Sequence, residues 1–161
     1  MKRKLKATKN NKKKIKIVAV SGGFDPIHIG HVRLFQEAKK LGDKLIVILN
    51  NDHWFKVKGK PVFMSAEERK EIIEALGCVD EVFISKHTEN TKDVSVCNEL
   101  LKIKPHIFAN GGDRFADNIP ELKLCNELGI KMVFNVGHGG KIRSSSQLLK
   151  DYSKKIKKIK Y

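Results

Sequence analysis

Two histidines three residues apart, His28 and His31, follow the glycine pair Gly22 and Gly23 in the segment Ser21-Gly22-Gly23-Phe24-Asp25-Pro26-Ile27-His28-Ile29-Gly30-His31. The residues before it, Ile15 to Val20, are mostly β-branched and apolar. Those after it, from about Gly30 to Leu41, place Leu34, Ala38 and Leu41 at helical spacing. The segment therefore reads as a turn from a strand into a helix. In an open parallel sheet, ligands bind off the carboxyl ends of strands, and a glycine-rich turn into a helix presents free backbone N–H groups to phosphate. Gly22 and Gly23 suit that role. With the helix beginning at this point, both imidazoles face one phosphate from its first turn. The chemistry expected is stabilisation of negative charge on a phosphoryl group.

Three further segments carry phosphate chemistry. In Asn50 to Pro61, read as a loop, Lys56, Lys58 and Lys60 alternate and their charge suits a triphosphate. In Ala109-Asn110-Gly111-Gly112-Asp113-Arg114 a carboxylate stands beside two glycines, where it can hold a magnesium-bound triphosphate or a ribose hydroxyl. In Gly139 to Leu149 the hydroxyls of Ser144, Ser145 and Ser146 meet a helix N-terminus, so hydroxyls and helix dipole can act together on phosphate. Plainer readings stand beside these: a solvated loop, a glycine turn with a capping Asp, and serine helix caps. Trp54 can pack on its loop or shape the acceptor pocket, and residue type does not choose between them.

The elements that must position these residues alternate along the chain. Strands are expected near Ile15 to Val20, Lys44 to Asn50, Glu81 to Ser85, His106 to Asn110 and Lys131 to Asn135. Helices fall between them. Gly42 is placed to stop the first, and Ser65 with Glu68 forms a capping box for the second. Others are expected over Val94 to Leu101, Pro120 to Leu128 and Ser145 to about Ile156. The implied fold is α/β, a single Rossmann-like domain with a five-stranded parallel sheet flanked by helices. Its expected bounds are 15–150, between a basic N-terminal tail (1–14) and a basic C-terminal tail (151–161).

The chain has 161 residues and a net charge of +15, 40% of it hydrophobic. Where that charge sits decides its meaning. Residues 1–16 hold nine Lys/Arg and no acid, residues 150–161 contribute +5, and the 133 residues between them carry +1. Nucleic acid is thus a partner only through the tails, by salt-sensitive phosphate contacts. No run reaches the roughly 20 apolar residues of a membrane span, and no apolar signal core follows the basic N-terminus. Cys78, Cys97 and Cys125 form neither a C-x-x-C pair nor a zinc pattern. A cytoplasmic protein with reduced thiols is expected.

The string GGFDPIHIGHVRLFQEAKKLGDKLIVILNND resembles the defining segment of the cytidylyltransferase-like nucleotidyltransferases, with H-x-G-H following a G-x-F-D turn. The likeness runs from about Ile15 to Leu149, toward the branch containing glycerol-3-phosphate cytidylyltransferase and heptose-phosphate adenylyltransferase. It implies transfer of CMP or AMP from CTP or ATP, with Mg²⁺, to a phosphorylated small molecule such as a sugar or polyol phosphate. It also implies a homodimer. By the same resemblance Gly22, Gly23, Phe24, Asp25, His28, His31, Gly112, Asp113, Ser144, Ser145 and Ser146 bind the nucleotide, and Asp113 is the residue nearest the metal. His28, His31, Lys58 and Arg69 become the catalytic set, with Lys58, Lys60 and Arg69 on substrate phosphates. The glycerol-phosphate branch has an arginine where this chain has Gly139, and Arg143 is the expected substitute.

Two rival readings exist. The residues His-Ile-Gly-His occur literally in class I aminoacyl-tRNA synthetases, but the chain lacks their second lysine-rich loop and anticodon-binding domains. The other is a basic, nucleic-acid-associated module that senses nucleotide without catalysis.

Overall fold

A computed structural model describes residues 14–112, 119–137 and 143–159. Five strands pair in parallel in the order β3-β2-β1-β4-β5, with β1 at Ile17–Gly22, β2 at Lys44–Leu49, β3 at Glu81–Ile84, β4 at Ile107–Gly111 and β5 at Lys131–Val136. The chain builds outward from β1 to β3, then crosses over to start again at β4. That reversal lies between β1 and β4, the switch point at which open α/β sheets bind ligands.

Both faces of the sheet are buried, and alternate residues serve opposite sides. Val18 and Val20 of β1, Leu45 and Val47 of β2 and Ile107 of β4 form one core with Phe35 and Ala38 of helix α1 (Ile29–Lys39) and Ile73 of helix α3 (Ala66–Glu74). Ala19, Ile48 and Phe108 point the other way. They pack with Leu100 of helix α4 (Cys97–Ile103) and Cys125 of helix α5 (Leu122–Leu128). All three cysteines are free, and burial pushes the Cys125 thiol up to about 11.

Most of the expected strands and helices form with shifted ends, and two differences have physical causes. Helix α2 (Asp52–Val57) occupies part of the segment read as a loop: the Asn51 side chain accepts from the Trp54 N–H and caps it. Six residues hold too little apolar periodicity to reveal such a helix, since only Phe55 is buried. Gly42 does not end α1 by a left-handed turn. A Cβ there would lie 2.6 Å from the Lys16 carbonyl oxygen, so the glycine permits close approach to the chain entering β1. Helix α6 (Ser145–Ile156) spans the residues expected of it. The capping box of α3 forms as expected, with Ser65 and Glu68 each accepting from the other's N–H. Among the described residues no helix is long and apolar enough to cross a membrane.

Gly42→Ala is expected to destabilise the fold by about 1–3 kcal/mol through overpacking. Exposed Gly77 has open space and no left-handed backbone, so Gly77→Ala should stabilise by about 0.4–1 kcal/mol. Urea midpoints of the two variants check both signs.

Candidate active site

The β1 turn is shaped by aromatic rings. Phe24 sits at φ +51° with its ring turned inward, edge-on to both His31 and Phe35 at 5.0 Å. A Cβ on Gly22 would lie 2.8 Å from the Phe24 ring, and one on Gly23 would lie 2.5 Å from Phe55 Cζ. Both positions therefore need bare backbone. Asp25 is buried, and its carboxylate accepts from the Phe63 N–H (2.6 Å) and the Met64 N–H (2.9 Å). It fastens the loop after α2 to the turn while lining the cavity.

His28 is the N-cap of α1, and the two histidines form the capping box themselves. His28 Nδ1 accepts from the Gly30 N–H at 3.1 Å, and His31 Nδ1 accepts from the His28 N–H at 3.3 Å. The rings stack with centroids 3.7 Å apart. A ring nitrogen that accepts carries no proton, so each neutral imidazole has its proton on Nε2. Burial lowers the His31 pKa to about 3, helped by His28. Burial and then the charge of Arg143 lower that of His28. Both rings are thus neutral Nε2–H donors at neutral pH. His28 Nε2 has no hydrogen-bond partner among the described residues, although it is buried.

Arg69 departs from the phosphate contact expected of it. It is wholly buried, with Nε donating to the carbonyls of Met64 (2.9 Å) and Ser65 (3.3 Å), Nη1 to those of Gly23 (2.6 Å) and Asn50 (2.9 Å), and Nη2 to the Asp52 carboxylate. The guanidinium also lies 4.9 Å from the centre of the Phe55 ring. These partners make Arg69 a positioning residue that joins β1, β2, α2 and α3 behind the site.

A cavity of about 550 Å³ opens over the ends of β1 and β4. It gathers Gly22, Gly23, Phe24, Asp25, His28, His31, Lys60, Gly112, Arg143 and Ser144 to Ser146. Ser144 caps α6 by accepting from the Gln147 N–H, and Ser145 Oγ donates to the Pro26 carbonyl at 2.9 Å, tying α6 to the β1 turn. Ser146 is exposed and lines the cavity, and the N–H groups of Ser145 and Ser146, in the first turn of α6, have no intrahelical partner. Lys58 is outside the lining; its Nζ lies 5.8 Å from the centre of the Trp54 ring. Asp113 and Gly139 lie outside the described residues. No group of three or more His, Cys, Asp or Glu able to hold a metal occurs among the described residues. Sequence reasoning missed Arg33, Leu34 and Phe55 in the lining. Arg33 was legible as the residue two places after His31, on the helix that faces the cavity.

The chain belongs to the cytidylyltransferase-like family, whose model matches residues 19–150, and it is a nucleotidyltransferase. It is 42% identical over 117 residues to the FAD synthase of Ferroglobus placidus, covering 73% of this chain and 72% of that one. A second FAD synthase, from Pyrococcus horikoshii, is 42% identical over 106 residues, or 65% of this chain and 68% of that one. The bifunctional protein HldE of Streptomyces coelicolor is 37% identical over 136 residues, covering 83% of this chain and 27% of the larger protein. Among solved structures, the lipopolysaccharide core biosynthesis protein of Thermoplasma volcanium superposes with a TM-score of 0.64 at 25% identity. That match covers 78% of this chain and all of the other.

The His31 ring should stay neutral from pH 8 down to pH 5, with an NMR titration midpoint near 3 in place of the ordinary 6.5. The unfolded chain takes up its proton near 6.5 and the folded chain does not. This histidine therefore costs the fold nothing above that pH, and its cost grows as pH falls from 6.5 toward 3. A midpoint near 6.5 would overturn the buried, neutral assignment.

Proposed function

We propose that this chain transfers a nucleoside monophosphate from ATP or CTP to a phosphorylated small molecule and releases pyrophosphate. The observation that carries this is the pair of stacked, neutral histidines lining the cavity, whose Nδ1 atoms are both taken by backbone, so that Nε2–H is the donor each ring retains. An acceptor phosphate oxygen attacks the α-phosphorus. A new P–O bond forms, the bond from that phosphorus to the bridging oxygen breaks, and the bonding pair leaves with pyrophosphate. The acceptor is already ionised at neutral pH, so no general base is needed. Catalysis is positioning plus stabilisation of oxygens whose charge grows in the transition state.

Each group has a part in this reading. The Nε2–H groups of His28 and His31 donate to oxygens of the transferring phosphoryl group. The α6 N-terminus, Ser146, Arg143 and Lys60 neutralise the phosphates around it. Magnesium, entering on the triphosphate, supplies further charge neutralisation. The relatives named FAD synthase favour ATP, because FAD contains AMP joined through a pyrophosphate. The acceptor is a phosphate monoester of a sugar, polyol or flavin, and the chain works as a homodimer. Pyrophosphate release from ATP and CTP across a panel of such acceptors tests this reading.

His28→Ala or His31→Ala should lower kcat by at least about 10²-fold with little change in nucleotide affinity. His28→Asn separates cap from donor: it restores the helix cap and its stability, yet kcat stays low because the Nε2–H is still missing. Full turnover in His28→Asn would refute the donor role. Arg143→Ala should raise KM for the substrate whose phosphate it holds, and Arg143→Lys should recover part of the loss, because only the guanidinium can grip two oxygens at once.

A further inference from the structure

Trp54 is the only tryptophan in the chain, and it is half-buried at the cavity wall. Its indole is held by two neighbours. Nε1–H donates to the Val94 carbonyl at 2.9 Å, and the ring packs edge-on against Phe55 with centroids 5.2 Å apart. The segment carrying Val94 is itself pinned. His87 Nε2 donates to the Ser95 carbonyl at 2.9 Å, and its Nδ1 lies 2.7 Å from the Ser85 hydroxyl. Asn51, the cap of α2, donates through Nδ2 to the His87 carbonyl at 2.8 Å. A tryptophan that merely filled the core would be covered by apolar neighbours. Here a chain of polar contacts orients a ring that is left partly uncovered.

The two ends of the cavity differ in chemistry. At the β4–β5 end the lining is largely bare backbone, with Gly111, Gly112 at φ +70° and Gly137 at φ +109°. Exposed peptide groups can read the hydrogen-bonding edge of a nucleobase. At the β2 end the lining is Trp54, Phe55, Lys60 and Pro61, an aromatic surface beside a cation. Phe55 is occupied by Gly23 and Arg69, and Lys58 lies over the indole without lining the cavity. The Trp54 surface at the cavity therefore offers no hydrogen-bonding group. It can recognise only a flat or weakly polar face, while Lys60 beside it meets a phosphate.

We propose that Trp54 is the stacking wall of the acceptor subsite, and that the acceptor is a phosphate monoester carrying a flat ring, in preference to an open-chain polyol phosphate. This rests on the transfer reading above and adds the recognition residue and the acceptor class. The ring can be a planar heteroaromatic system or the face of a pyranose, since both stack on indole. Trp54 does not touch the reacting atoms, so its loss acts on acceptor binding and leaves the nucleotide end alone.

The test uses the full chain with flavin mononucleotide, a hexopyranose 1-phosphate and glycerol 3-phosphate as acceptors. Pyrophosphate release is measured with ATP and with CTP. Binding of each acceptor is measured by calorimetry in the presence of a nonhydrolysable analogue of each triphosphate. A ring-bearing acceptor should be preferred. Trp54→Ala should raise its KM and Kd by about tenfold or more, as loss of one aromatic stack predicts, with KM for the triphosphate within about twofold. Trp54→Phe, which keeps a ring and guards against a folding defect in the alanine variant, should recover most of that loss. Preference between the flavin and the pyranose arms identifies the ring. Preference for glycerol 3-phosphate, an acceptor Kd unchanged in Trp54→Ala, or no binding of either ring-bearing acceptor overturns the proposal. Ring-bearing acceptors that bind through Trp54 without pyrophosphate release would keep the subsite and sink the transfer reading.

Discussion

A guanidinium removed from water must find partners for its donors inside the protein, and Arg69 finds them in four backbone carbonyls and one carboxylate. Burying a charge is costly unless every strong donor is met, and charge-assisted bonds to fixed carbonyls meet that demand. The partners lie in the β1 turn, after β2, at the start of α2 and at the entry to α3. One side chain thereby sets the relative positions of segments that are far apart in sequence. In a trans peptide the C=O and the following N–H point oppositely, so holding the Gly23 carbonyl aims the Phe24 N–H away from the buried guanidinium. Phe55 completes the arrangement, lying against Arg69 and leaving no room for a side chain on Gly23.

Much of this was legible in the sequence because the signals were local. The β-branched runs that became β1, β2 and β5 needed only a short window, and so did the Ser65–Glu68 capping box. The histidines could be placed at a helix start because a glycine turn precedes them and an apolar stripe follows. Other features depend on partners that no window contains. Arg69 reads as a surface arginine or a phosphate ligand until the carbonyls of Gly23 and Asn50 are known to converge on it, from 46 and 19 residues away. The two amide partners of Asp25 are hidden from a local window for the same reason, lying 38 and 39 residues away. Helix α2 was hidden because its stability comes from its cap and from Phe55 in the core, with little periodicity to betray it.

The charge pattern separates two jobs. The basic ends carry most of the +15, and the globular part is close to neutral. Within that part the cations relevant to phosphate are few and specifically placed, with Lys60 and Arg143 from different segments meeting at one cavity. On the transfer reading, selectivity for phosphate there comes from convergence of directed donors. A diffuse positive field would also gather nucleic acid.

The mutual capping of His28 and His31 makes the tautomer of both rings a property of a helix end. Helix ends fray at a lower free energy than the core unfolds. When the first turn of α1 opens, each Nδ1 loses its amide, the rings gain access to water and basicity returns, all while the sheet beneath remains intact. The neutrality of the pair therefore depends on the integrity of one helical turn.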